Sequence, residues 1–164
     1  ILFGCPQGKK EAPPVEEPPS TVIDNFNLIE TNQGRKMWVL QASKALVYQS
    51  KERIVVEAVA INFFNVTGEL VSNLVAPTGE LNTKNRNMTA RGGVVVKTQD
   101  STTLNTDSLF WQNDSARIIT RSRVLIVRRD QTKIEGMGLV TDPELKKIEI
   151  LGRISGESSV EIKK

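Results

Sequence analysis

The chain has 164 residues, 38% of them apolar and 25% charged, which suits one globular domain with its own core and not a disordered chain. Its 22 basic and 19 acidic residues leave a net charge of +3, a weak field for nucleic acid, and 5% aromatics give bases little to stack on. With no histidine and one cysteine, the commonest general base, an imidazole or paired-thiol metal site and an internal disulfide are all excluded, and no cofactor is expected.

The chain opens ILFGC. Leu2, Gly4 and Cys5 match the end of a bacterial lipoprotein signal, in which a peptidase cuts just before a lipid-modified cysteine; Phe3 is bulkier than the small residue usual there. Two readings stand. Either Cys5 is lipidated, or residues 1–4 end a membrane helix that continues upstream and Cys5 is a bystander. Both put the start of the domain at a membrane, because no other stretch approaches the roughly 20 apolar residues of a span. Residues 6–20, PQGKKEAPPVEEPPS, hold five prolines and both signs of charge. They read as a semi-stiff linker, at most about 45 Å long at about 3.1 Å per residue.

Residues 21–164 form the folded part, where short runs of Val, Ile, Thr and Phe alternate with Asn, Asp, Gly and Ser clusters. This is an all-β pattern. The predicted strands are 22–30, 36–49, 54–65, 68–76, 88–98, 102–112, 116–129, 132–142, 146–156 and 158–163. A shift of thirty residues aligns them. Met88, Ala90, Gly92, Val94 and Val96 fall on Ile118, Thr120, Ser122, Val124 and Ile126, then on Ile148, Ile150, Gly152 and Ile154.

Strand side chains alternate faces, so each column of the repeat shows which face it serves. Val94, Val96, Val124, Ile126, Ile148, Ile150 and Ile154 make an apolar column, predicted inward. Arg91, Lys97, Arg121, Arg123, Arg129, Glu149 and Arg153 alternate with them and are assigned to solvent, with phosphate binding as the competing reading. Two facing sheets, as a jellyroll or an open, folded-over sheet, would bury the apolar side of such a stack. Its first and last strands would keep unpaired backbone groups that invite another sheet. Asp100, Asp107, Asp114, Asp130 and Asp142 recur near predicted turns, where local backbone hydrogen bonds explain them without catalysis. Gly136 and Gly138 lack the following helix of a dinucleotide fingerprint.

Four features then converge: Trp38 followed by Leu40 and Ala42; the Leu104, Thr106, Leu109, Trp111 block; Ile118 and Thr120 before a Val-rich strand; and Ile134, Gly136, Gly138 and Asp142 before Leu145. Over most of residues 36–154 the chain resembles the periplasmic domain of the LptC family. These lipopolysaccharide-export proteins join an inner-membrane ABC transporter to a periplasmic bridge. The resemblance implies a single β-jellyroll that accepts lipopolysaccharide from the transporter and passes it to an LptA-like bridge protein by edge-strand pairing. It implies no enzyme activity and no nucleic-acid partner. It also implies a periplasmic location tied to the inner membrane through the N-terminus. In much of the family the tie is a transmembrane helix, which Cys5 would replace here.

Alternation selects Val59, Ile61, Phe63, Leu74, Val94, Val96, Leu104, Val124, Ile126 and Ile134 as lipid-lining candidates. The same residues would also form an ordinary packed core. The family's arrangement puts Ile23, Phe26 and Leu28 on the edge facing the transporter, and Val160 and Ile162 on the edge facing the bridge. A structural β-module tethered at the envelope, with a dry interior, is the alternative function.

Overall fold

The computed structural model describes residues 16–157. Cys5, residues 6–15 of the linker and the expected edge residues Val160 and Ile162 lie outside them. Ten strands follow in order: β1 (Thr21–Asn32), β2 (Arg35–Tyr48), β3 (Arg53–Phe64), β4 (Leu70–Asn82), β5 (Met88–Thr98), β6 (Thr103–Gln112), β7 (Arg117–Val127), β8 (Lys133–Thr141), β9 (Glu149–Ile150) and β10 (Ile154–Glu157). All pair antiparallel in one sheet, ordered β1-β2-β3-β4-β5-β6-β7-β8-β10, with β9 also on β8. Among the described residues, no helix is long and apolar enough to cross a membrane.

Sequence neighbours become sheet neighbours because the turns are tight. Gln33 and Gly34, at φ +51° and +75°, form the two-residue connection whose hand matches strand twist. The thirty-residue repeat reappears in the turns. Thr98 N–H donates to Thr102 O, and Arg128 N–H donates to Thr132 O; Ser101 and Gln131 take positive φ at matching places.

The sheet is folded over along a line that crosses the middle of its strands. Register shifts fall between Val75 and Thr78, Arg91 and Val94, Thr106 and Phe110, and Thr120 and Arg123. On the same line Asn25, Ala58, Gly92, Gly93 and Gly138 have positive φ. Extra residues bend a strand and raise its twist, so a row of them creases the whole sheet. The crease brings distant strands together: the rings of Phe63 and Trp111 lie 4.8 Å apart, from β3 and β6. Trp38 Nε1 donates to Asn113 Oδ1 across the same gap, at 2.9 Å.

Two expectations need correction. The strand expected to stop at residue 76 runs to Asn82. Pro77, which has no N–H for a ladder, sits at the register shift where no ladder bond is required of it. The strand expected at 146–156 is only β9 and β10, and Ile154, predicted inward, is 67% exposed. Asp142 causes the interruption: its carboxylate accepts the Lys146 and Lys147 N–H groups, which a ladder would otherwise use. Ile148 and Ile150 pack against the core from its margin.

Candidate functional site: the inner face of the folded sheet

Pairing register places the candidate residues in a row. Leu28 lies opposite Leu40, Leu40 opposite Ile61, Ile61 opposite Leu74, Leu74 opposite Val96, Val96 opposite Leu104, Leu104 opposite Ile126, and Ile126 opposite Ile134. This aliphatic lane crosses eight strands at right angles to them. At about 4.8 Å per strand step it is roughly 34 Å long. Val59, Val94 and Val124 lie beside it toward the crease, and Phe63 beside it toward the strand ends. Nine of the ten candidates are buried; Ile134, next to the β10 edge, is half-buried against the others.

All ten belong to one half of the sheet. The other half carries a second lane outside the candidates: Ile54, Leu81, Met88, Trp111 and Ile118, paired in that order and all buried. In β5 and β7, Met88 and Ile118 keep the phase of Val94 and Val124, but in β3, β4 and β6 period two resets at the crease. Counting on from Leu74 and Ala76 points Thr78 and Glu80 inward, whereas Gly79 and Leu81 turn in. Counting on from Leu104 and Thr106 likewise misses Leu109 and Trp111.

Hydroxyl groups repair the backbone at the crease. Thr106 Oγ1 donates to Arg123 O at 3.0 Å, and Thr120 Oγ1 donates to Ser108 O at 2.6 Å, so two carbonyls freed by the register shift are satisfied. Ser72 is different. It is 1% exposed, paired with Phe63 and Thr98 at the strand ends, and among the described residues its hydroxyl has no hydrogen-bond partner.

The interior reaches the surface at that end. A cavity of about 420 Å³ has Met37, Phe63, Phe64, Val71 and Trp111 against its apolar side. Arg35 and Lys36 stand on one rim, Asp142 and Glu144 on the other. Lys36 Nζ lies 4.9 Å from the Phe64 ring centre, and neither rim cation has a carboxylate within 4.0 Å among the described residues.

The arginines lie outside. Arg91, Arg121, Arg123, Arg129 and Arg153 are exposed, and Arg123 pairs with Glu135, whose carboxylate holds the guanidinium in its charged form even more firmly than usual. The carboxylates serve separate turns. Thr98 Oγ1–H and Thr102 N–H both donate to Asp100 and lower its pKa, and Thr132 N–H does the same to Asp130. Asp107 is inside β6 at the crease and not in a turn.

Both termini of the strand order leave an edge. Among the described residues β1 pairs only with β2, and on it Phe26 and Leu28 are half-buried while Ile23 is 37% exposed. Beyond β8 the other margin is completed by the four residues of β10.

The model of the family described as lipopolysaccharide-assembly, LptC-related, matches residues 3–158. Among solved structures, the chain is similar to LptH of Pseudomonas aeruginosa, described as the LptA homologous periplasmic component of the conserved lipopolysaccharide transport device. The TM-score is 0.59 at 14% identity, over 75% of this chain and 95% of that one, a likeness of fold. No curated protein matches.

Proposed function

The chain belongs to the LptC-related family of lipopolysaccharide-assembly proteins, and from that premise we propose that its inner face carries lipopolysaccharide acyl chains across the sheet, strand by strand. A role in lipopolysaccharide transport follows from the family; the route is our reading. The observation that supports it is the aliphatic lane from Leu28 to Ile134, unbroken across eight strands of a sheet that is creased but not closed. Acyl chains exposed to water cost roughly 0.8 kcal/mol per methylene, so a many-chained lipid needs continuous apolar cover. A lane without fixed polar anchors gives non-directional contact along its length, which lets a chain slide on to the next site.

In this reading lipid arrives from the inner-membrane ABC transporter at the β1 edge, where Ile23, Phe26 and Leu28 lie. It leaves toward an LptA-like bridge at the opposite edge, to which Val160 and Ile162 would contribute. The N-terminus, through Cys5 or a preceding helix, holds the domain at the inner membrane in the periplasm. The protein transfers lipid without changing it chemically.

The interior is also packed: Leu40, Leu74, Val96, Leu104, Val124 and Ile126 are at most 2% exposed. Loading therefore requires the two half-sheets to part. Photo-crosslinking side chains at Phe63, Val124 and Ile126, in membranes with the transporter, should capture lipopolysaccharide only when ATP is supplied. Capture no greater than at Arg123 on the outer face would leave the dry structural module as the answer.

A further inference from the structure

Residues 142–148 leave the end of β8 and rejoin the sheet only at β9. We propose that this segment is a displaceable strap over the Trp111 mouth, in which Leu145 occupies a place that an acyl chain of an anionic amphiphile takes when the strap lifts. The proposal rests on the transport reading above and adds to it a gate.

Leu145 is 5% exposed and part of the apolar core, yet it belongs to no strand and has φ +54°, a left-handed conformation that strains a leucine. Its neighbours bond mainly to one another. Asp142 Oδ1 accepts the N–H groups of Lys146 and Lys147, each at 2.9 Å, Asp142 O accepts Leu145 N–H at 3.1 Å, and Glu144 pairs with Lys146. All four contacts lie within the strap and move with it. Lifting it therefore costs the burial of Leu145, the packing of half-buried Ile148, the contact of the Thr141 hydroxyl with Asp142 and the two-residue pairing of β9.

Space lies on both sides. The 420 Å³ cavity separates Asp142, Pro143 and Glu144 from Met37, Phe63, Val71 and Trp111. A second cavity of about 400 Å³ separates Glu144 and Lys146 from Leu70, Thr98 and Asp100. A segment undercut this way, and anchored by only Leu145 and half-buried Ile148, belongs to the least stable part of a fold.

The surroundings select the occupant. An apolar place built for leucine accepts hydrocarbon. Arg35 and Lys36 attract an anionic head group, whereas Asp142 and Glu144 repel it, so arrival of the ligand pushes the strap away.

The test uses stearate bearing a doxyl nitroxide, read by quenching of tryptophan fluorescence in the full chain, whose two tryptophans, Trp38 and Trp111, both bond Asn113 at the mouth. Leu145→Ala should tighten binding at least threefold by vacating the place. Asp142→Ala, which loosens the strap without touching the core but also removes a rim charge, should tighten binding of the uncharged doxyl-bearing alcohol as well, and covers the case where the first variant does not fold. Arg35→Ala with Lys36→Ala should weaken binding of the stearate probe but not of its uncharged alcohol analogue. Unchanged or weaker quenching in the folded strap variants overturns the gate. If inner-face crosslinking to lipopolysaccharide persists in that case, the transport reading stands; if crosslinking is also absent, both fall.

Discussion

Asn113 accepts two indole N–H groups on one oxygen, from Trp38 at 2.9 Å and Trp111 at 3.1 Å, and its own N–H donates to Asn87 Oδ1. One amide thereby ties β2 to the turn between β6 and β7 and fixes the width of the mouth. Other polar residues work within their own turns. At Asp100 the Thr98 hydroxyl, then the Thr102 N–H, hold the carboxyl below its usual pKa; at Glu69, Asn65 and Thr67 do the same. A carboxylate whose pKa is depressed on folding adds stability that is present above its unfolded value and disappears as pH falls through the folded one. The melting temperature should therefore drop as pH is lowered below about 4, where such groups begin to protonate in the unfolded chain. Asp100→Asn should flatten part of that slope in a calorimetric series from pH 6 to 3. An identical slope in the variant would show that the Thr98 turn adds nothing to acid sensitivity.

At the scale of the element, the crease decides what a strand can be. Gly92 and Gly93 sit on it at φ +92° and +97°, a region that L side chains seldom adopt. A Cβ at Gly93 would meet nothing within 4 Å, while one at Gly92 would lie 3.2 Å from Pro77 Cγ. Gly93→Ala should thus cost the backbone strain alone, about 1–2 kcal/mol, and Gly92→Ala more, by urea denaturation. Negligible losses would mean that the crease does not need its glycines, and equal losses that the Pro77 contact adds nothing at Gly92. The same feature limited what could be read from the sequence. Strand positions and the outward arginines were legible because Val94, Val96, Val124 and Ile126 keep period two within one half-sheet. Of the facing lane, Met88 and Ile118 share that phase, but Ile54, Leu81 and Trp111 do not, because alternation resets at Ala58, Pro77 and Asp107, and nothing local marks those positions as mid-strand. Leu145 was noticed only as the end of a motif; that a turn leucine is buried depends on what lies beneath it, and pattern carries no such information.

At the scale of the whole molecule, a single sheet creased on itself gives a two-sided interior that needs no second domain. Two apolar lanes face each other, one from Leu28 to Ile134 and one through Leu81, Met88 and Ile118, with the Trp111 mouth alongside them at the strand ends. Lipid contact on the inner face and on the outer face are distinguishable, because the outside also offers apolar groups: Val75 and Val95 pair with each other there and are 42% and 36% exposed. Methyl-labelled protein loaded with lipopolysaccharide therefore separates the two by NMR. Intermolecular NOEs from acyl methylenes should reach the methyl groups of Leu74, Val96, Leu104 and Ile126; NOEs confined to Val75, Val95 and Leu125 would place the lipid on the outside and contradict the account.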